Sequence, residues 1–291
     1  MNDFQKQVVQ WFPGHMAKTR RLIKESLPLV DAVTELVDAR IPQSSRNPEL
    51  DEMTANKPRI ILLNKCDIAD DNATRQWIEY YTKQGISAIA VDCKTGKGLS
   101  GYDPLVRKAL KEKIESNNAK GMHGRALRIM VVGIPNTGKS SFINRMAGKN
   151  RTQVADKPGV TKRNQWVVVG NGIELLDTPG VLWPKFEDQS VGNKLAFIGS
   201  VKDEIMDSET IAVRLLEVLK VDYADRLCER YKLNLASCEL ESYELLQEIG
   251  RKRGMLISGG EIDTERAANT LLDEYRGGLL GKITLERPKI K

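Results

Sequence analysis

The 291-residue chain is 41% hydrophobic, with four cysteines, two histidines and a formal net charge of +6. That apolar fraction can build the cores of about two domains, and no stretch reaches the ~20 uninterrupted apolar residues of a membrane span. The cysteines form no C-x-x-C pair and only His15 and His123 could assist them, which argues against a zinc cluster and for reduced, structural thiols. The first ten residues are too polar for a secretory signal, so a cytoplasmic location is expected. Charge is uneven along the chain: residues 1–202 hold 31 Lys+Arg against 21 Asp+Glu, and residues 203–291 hold 14 against 18. A basic front portion points to an anionic partner, nucleic acid first.

In chain order, Trp11-Phe12-Pro13-Gly14-His15-Met16 reads as an aromatic turn that leads into a basic helix. Taken alone, His15 reads as a solvated or structural residue. Residues 29–37 are apolar and β-branched enough for a strand that Asp38-Ala39-Arg40-Ile41-Pro42 ends. A second strand, Ile60-Ile61-Leu62-Leu63, delivers Asn64-Lys65-Cys66-Asp67 at its carboxyl end. Ligands of open α/β sheets sit beyond that end. The N-K-x-D pattern suits guanine: the Asp67 carboxylate can accept from the ring N–H and the exocyclic amine, Asn64 supports the base edge, and the Lys65 stem covers its face. Adenine presents the opposite donor pattern and leaves Asp67 facing an acceptor. A polar helix over 74–84 and a strand over 87–91 then lead to Asp92-Cys93-Lys94-Thr95-Gly96-Lys97-Gly98. Residues 104–114 read as a helix and 115–124 as a polar surface linker.

The apolar run Leu127–Val132 precedes Gly133-Ile134-Pro135-Asn136-Thr137-Gly138-Lys139-Ser140, and Ser141 opens an amphipathic segment after it. Strand, glycine-bounded loop and helix in the spacing G-x-x-x-x-G-K-[ST] let successive backbone N–H groups cradle phosphate oxygens at a helix N-terminus. Lys139 then reaches the β- and γ-phosphates and Ser140 holds Mg²⁺ through its hydroxyl. Farther on, Thr161 sits in a flexible stretch where it could complete the Mg²⁺ shell, and 165–169 and 173–176 form a hairpin around Gly170-Asn171-Gly172. The hairpin ends at Asp177-Thr178-Pro179-Gly180, where Asp177 can hold Mg²⁺ through water and the Gly180 N–H can bond a γ-phosphate. From about Asp203 the chain reads as helical, with Ile211, Leu215, Leu216, Leu219 and Ala267, Ala268, Leu271, Leu272 as core stripes. Arg251-Lys252-Arg253 and the tail over 276–291 read as local basic patches.

These boxes resemble those of the circularly permuted GTPases, most closely the bacterial ribosome biogenesis GTPase A (YlqF) family. The base boxes at Asn64 to Asp67 and at Asp92, Cys93 and Lys94 precede the phosphate boxes, the reverse of ordinary GTPases. Likeness covers nearly the whole chain, including the segment around His15 and Leu182-Trp183-Pro184-Lys185-Phe186. The resemblance implies a P-loop GTPase fold, a doubly wound and mainly parallel α/β sheet, over 26–202, after an N-terminal arm and basic helix over 1–25. An all-helical domain over 203–291 would contact ribosomal RNA. It also implies GTP/GDP and Mg²⁺ as ligands, and action as a GTP-gated assembly factor for the large (50S) ribosomal subunit, monomeric off the ribosome. Ras-like proteins place a water-orienting glutamine where Val181 stands, and in the resembled family that role is proposed for the histidine that is His15 here. Asn136 resembles the P-loop asparagine of GTPases that bind K⁺; it can equally be a loop-stabilising residue. Two rival readings stay open at this point: an RNA-binding module tuned by nucleotide with incidental hydrolysis, and a translation or tRNA-modification GTPase.

Overall fold

The computed structural model describes residues 14–148, 165–183, 186, 188–201 and 207–289, with the side chains of residues 14 and 15 left out. Thr161, the residues before Gly14, Pro184 and Lys185 lie outside the described residues. The described strands are β1 (Ala32–Asp38), β2 (Arg59–Asn64), β3 (Ser87–Ala90), β4 (Leu127–Val132), β5 (Gln165–Gly170) and β6 (Ile173–Asp177). They form one sheet in the order β3-β2-β1-β4-β6-β5, parallel throughout except for β5 against β6. β1, β2 and β4 are buried almost end to end, as central parallel strands with both faces covered must be. In register, Asp38 lies opposite Asn64 and Val131 opposite Asp177, so the carboxyl ends of these strands share one edge. The chain runs outward from β1 through β2 to β3, then returns to β4 on the far side of β1. That reversal between β1 and β4 opens the crevice in which doubly wound sheets bind ligands.

The helices of this unit are α1 (Gly14–Ser26), α2 (Pro48–Met53), α3 (Asp71–Lys83), α4 (Tyr102–Ala109), α5 (Lys111–Ala119) and α6 (Lys139–Met146). Asp70 caps α3 by accepting from the Ala73 N–H at 2.7 Å, and α3 lays Trp77 and Tyr81 against Val37, Ile61, Leu63 and Ala88. The opposite face packs α4 and α6 on Leu36, Ile60, Leu62, Ile129 and Val131, with the Tyr102 and Phe142 rings edge to face at 5.0 Å. Each such fully buried apolar side chain is worth about 1.5–3 kcal/mol. Two expected boundaries move. The first strand starts at Ala32 rather than at residue 29 because Pro28 sits in a 3-10 turn over Leu27–Leu29. Helix also continues well into the expected 115–124 linker: Leu110 donates to Val106 and Ile114 donates to Leu110, both at 2.9 Å, so α5 resumes the ladder and the connection shortens to 120–126.

The described residues divide into two compact units, 14–183 with 286–289, and 186–285. The second unit is all-helical: α7 (Gln189–Phe197), α8 (Ser208–Asp222), α9 (Ala224–Tyr231), α10 (Ser242–Lys252) and α11 (Thr264–Gly277). It begins before residue 203 because α7 packs with α8 and α11, where Arg276 donates to the Ala196 and Phe197 carbonyls at 2.9 and 3.1 Å. Both expected stripes are core, each residue 2% exposed or less. The run Arg251-Lys252-Arg253 is only partly charge-compensated: Arg253 shares Glu274 with Arg230, at 2.7 and 2.5 Å, and lies over the Tyr231 ring, while Arg251 and Lys252 share Glu248. The last described residues belong to the sheet unit. There the Glu286 carboxylate accepts from the Gln43 and Ser44 N–H groups at 2.7 and 3.1 Å and from the Ser44 hydroxyl, and its carbonyl accepts from Trp77 Nε1.

Candidate active site

At the phosphate end the loop after β4 is shaped by backbone that only certain residues tolerate. Gly133 has φ +148°, and a Cβ there would stand 2.6 Å from the Leu36 carbonyl oxygen. Gly138 has φ +94°, and a Cβ there would stand 2.2 Å from Asn64 Nδ2. Asn136 takes the left-handed region at φ 62°, which asparagine enters more readily than most residues. Within the loop, Thr137 Oγ1 and Lys139 Nζ both donate to the Ile134 carbonyl, at 3.0 and 2.8 Å. Burial pushes the Lys139 ammonium down to about 8, against the opposing charge of Asp177 at the end of β6. Asp177 is fully buried, and after it Thr178 Oγ1 donates to the Val131 carbonyl at 2.6 Å. Gly180 passes so close to Pro135 that a Cβ would meet its nitrogen at 2.9 Å and Lys139 Nζ at 3.1 Å. Two strand-end loops thus meet around one desolvated cation. Val181 donates its N–H to the Gly133 carbonyl at 3.3 Å, and its side chain is fully buried, an apolar plug where a water-orienting side chain stands in Ras-like proteins.

At the base end, the Asn64 amide is spent on protein partners. Nδ2 donates to the Thr137 carbonyl at 2.7 Å and Oδ1 accepts from the Cys93 N–H at 3.0 Å, tying the phosphate loop to the loop after β3. Asn64 therefore braces the loop after β4 against the loop after β3. Asp92 organises its own turn: its carboxylate accepts from the Lys94 N–H at 2.8 Å and from the Thr95 hydroxyl, contacts that overcome burial and lower its pKa. Cys93 is buried, which pushes its thiol well above the ordinary range. Lys94 is exposed and its carbonyl accepts from Arg145 of α6. Asp67 is exposed.

Behind this box, where the sequence pattern shows only the end of a strand, lies a buried cluster. Asp38 is fully buried and accepts from Arg40 Nε at 2.9 Å, Arg40 Nη2 at 2.8 Å and the Arg40 N–H at 3.1 Å. Its Oδ2 also lies 3.0 Å from Lys65 Nζ. Burial would raise the Asp38 pKa, but the charges of Arg40 and Lys65 hold it well below the usual carboxylate range. Lys65 has φ 62°, and burial lowers its pKa against the opposing pull of Asp38. The next N–H, that of Ala39, donates to the Asn64 carbonyl at 2.8 Å. A carboxylate followed two residues later by arginine, at the carboxyl end of a central strand, was the available signal.

The family described as "50S ribosome-binding GTPase" matches residues 128–234. Ribosome biogenesis GTPase A of Bacillus cereus is 49% identical over 97% of this chain and 95% of its own length, and that of Priestia megaterium is 50% identical over 96% and 97%. GNP-bound YlqF from T. maritima superposes with a TM-score of 0.66 at 31% identity, covering 94% of this chain and all of that one. The chain belongs to the ribosome biogenesis GTPase A family. It is a GTP hydrolase of ribosome biogenesis, and it binds guanine nucleotide on a circularly permuted P-loop GTPase fold. In this family member the 128–234 match starts within β4, so the base boxes at 64–67 and 92–94 stand upstream of it. The structure brings 64–67, 92–94, 133–141, 177 and 180 to one edge of the sheet. His15 belongs to the first turn of α1, and Thr161 lies outside the described residues.

Proposed function

We propose that this protein is a GTP-gated assembly factor of the large ribosomal subunit that binds pre-ribosomal RNA in its GTP form and releases on hydrolysis. The observation that carries the reading is the meeting of the two phosphate loops at Lys139, where Gly180 lies within contact of Pro135 and of the lysine itself. A γ-phosphate entering there adds negative charge beside a desolvated ammonium and pulls on the 177–180 loop, which leads within a few residues to α7 and the helical unit.

In this reading Asp67 accepts from guanine, the Lys65 stem covers the ring, and Cys93 and Lys94 close the other edge, with Asn64 and Asp92 holding the two loops. The N–H groups of 133–141 cradle the phosphates and Lys139 binds the β- and γ-oxygens. The donor set at the phosphate end, the Ser140 hydroxyl and the Asp177 carboxylate, is hard oxygen and fits Mg²⁺ shared with nucleotide phosphates and water. Held by Ser140 and Asp177, Mg²⁺ would supply charge neutralisation at the phosphates for attack of water on the γ-phosphorus. Thr161 would complete its shell. His15 is assigned to position that water, since the buried Val181 can neither donate nor accept from its side chain. Asn136 is the proposed contact of a K⁺ ion beside the phosphates.

The test is pelleting with large subunits or their precursors through sucrose, loaded with GDP or a non-hydrolysable GTP analogue, at two salt concentrations. Recovery should be at least about tenfold higher with the analogue, a coupling of only ~1.4 kcal/mol, and should fall as salt rises. Equal recovery with both nucleotides would favour an RNA-binding module with incidental hydrolysis.

A further inference from the structure

We propose that Asp38 is a positioning residue for nucleotide binding, acting through the Lys65 ammonium to hold the Lys65 stem in place as a wall of the base site. The inference rests on the reading of 64–67 as the guanine box.

Three observations carry it. Lys65 needs an outside hold, because its backbone sits in the left-handed region at φ 62° and its side chain, with four rotatable bonds, is a quarter exposed. Asp38 supplies that hold at 3.0 Å from Nζ, and it is itself immobilised: fully buried, forked by Arg40 through Nε and Nη2, and with its N–H donating to Ser45 Oγ at 3.0 Å. The two strands are also locked in register here, Asp38 opposite Asn64, with the Ala39 N–H on the Asn64 carbonyl. The Asp38-Ala39-Arg40 turn thus clamps the backbone of the box with one group and the lysine head with another. A flexible lysine is turned into a fixed surface, and the ordering entropy of its stem is spent before the nucleotide arrives. Arg40 keeps the carboxylate charged and forked; it does not take the place of the lysine contact.

The experiment measures GDP affinity and dissociation rate for Lys65→Ala, Lys65→Met, Asp38→Asn and the double variant Asp38→Asn/Lys65→Met. Inorganic tripolyphosphate serves as a competitor that reads the phosphate loop alone, and thermal melts report folding. Asp38→Asn should weaken GDP about tenfold, mainly through faster release, the size of a lost charge-assisted contact. Lys65→Met should weaken it similarly, the double variant should add nothing to the larger single loss, and tripolyphosphate affinity should stay unchanged in all four. Additive losses, or Asp38→Asn with wild-type GDP affinity, would overturn the proposal. So would a parallel loss of GDP and tripolyphosphate, the mark of a merely structural role. Should Asp38→Asn fail to fold, the lysine variants still decide: wild-type affinity in Lys65→Met with loss in Lys65→Ala means that the stem works without its ammonium tie. If Lys65→Ala also binds normally, the guanine-box reading of Lys65 fails together with the proposal.

Discussion

At the base end of the crevice, side chains and backbone of three strand ends brace one another: Asn64 spans the Thr137 carbonyl and the Cys93 N–H, and Asp38 holds Arg40 and Lys65. At the phosphate end, shape comes from glycine backbone, and the one ammonium at its centre is buried against the Ile134 carbonyl with its pKa pushed down to about 8. The contrast suggests two ways of preparing a site. On the proposed reading base recognition needs fixed donors and acceptors, and the protein satisfies its own polar groups first and leaves Asp67 outward. On that reading phosphate recognition needs positive charge, and the protein holds Lys139 desolvated with only Asp177 opposing it until the ligand adds further negative charge.

Removing that charge should have the largest effect. Lys139→Met should cut GTP turnover by about a hundredfold or more, since the contact strengthens as charge develops in the transition state; single-turnover hydrolysis measures it. Wild-type turnover in this variant would mean that the phosphate end rests on backbone alone.

Breaking the base-end brace should cost less but spread farther. Asn64→Ala removes two hydrogen bonds and leaves the Thr137 carbonyl and the Cys93 N–H without their partner, a loss of about 2–3 kcal/mol. GDP affinity by fluorescence titration should fall about 30- to 150-fold. Tripolyphosphate affinity should fall with it, because the same amide steadies the phosphate loop. A loss confined to GDP would mean that the two ends are not joined through Asn64.

Much of this arrangement was legible in the sequence, for a physical reason. Phosphate loops depend on backbone that glycine alone supplies, so the positions of Gly133, Gly138 and Gly180 announce themselves in spacing, and the apolar runs before them fix the strands. The helical core was equally legible through the period of Leu215, Leu219, Leu271 and Leu272. What spacing could not reveal was long-range pairing. Asp38 meets Lys65 across a strand pair, and Glu286 returns to the Gln43 and Ser44 turn from the far end of the chain. The pairing of Arg253 with Glu274 was hidden for the same reason, since Glu274 joins it only through the packing of α10 on α11, whereas Arg251 and Lys252 meet Glu248 locally at i,i+3 and i,i+4.

The most direct test of a phosphate end held short of charge is calorimetric proton counting. Titrations of GDP at pH 8.5 in buffers of differing ionisation enthalpy report protons taken up on binding. Lys139, with a pKa of about 8 in the nucleotide-free protein, is largely neutral at that pH, and phosphate oxygens raise its pKa again. Relative to Lys139→Met, binding should therefore take up about three-quarters of a proton per nucleotide at pH 8.5, a difference that vanishes towards pH 6.5 where the lysine is already charged, and affinity should fall as pH rises through 8 and above. Equal proton uptake by the wild type and Lys139→Met at pH 8.5 would mean that Lys139 is already charged before the nucleotide arrives, and would contradict the account.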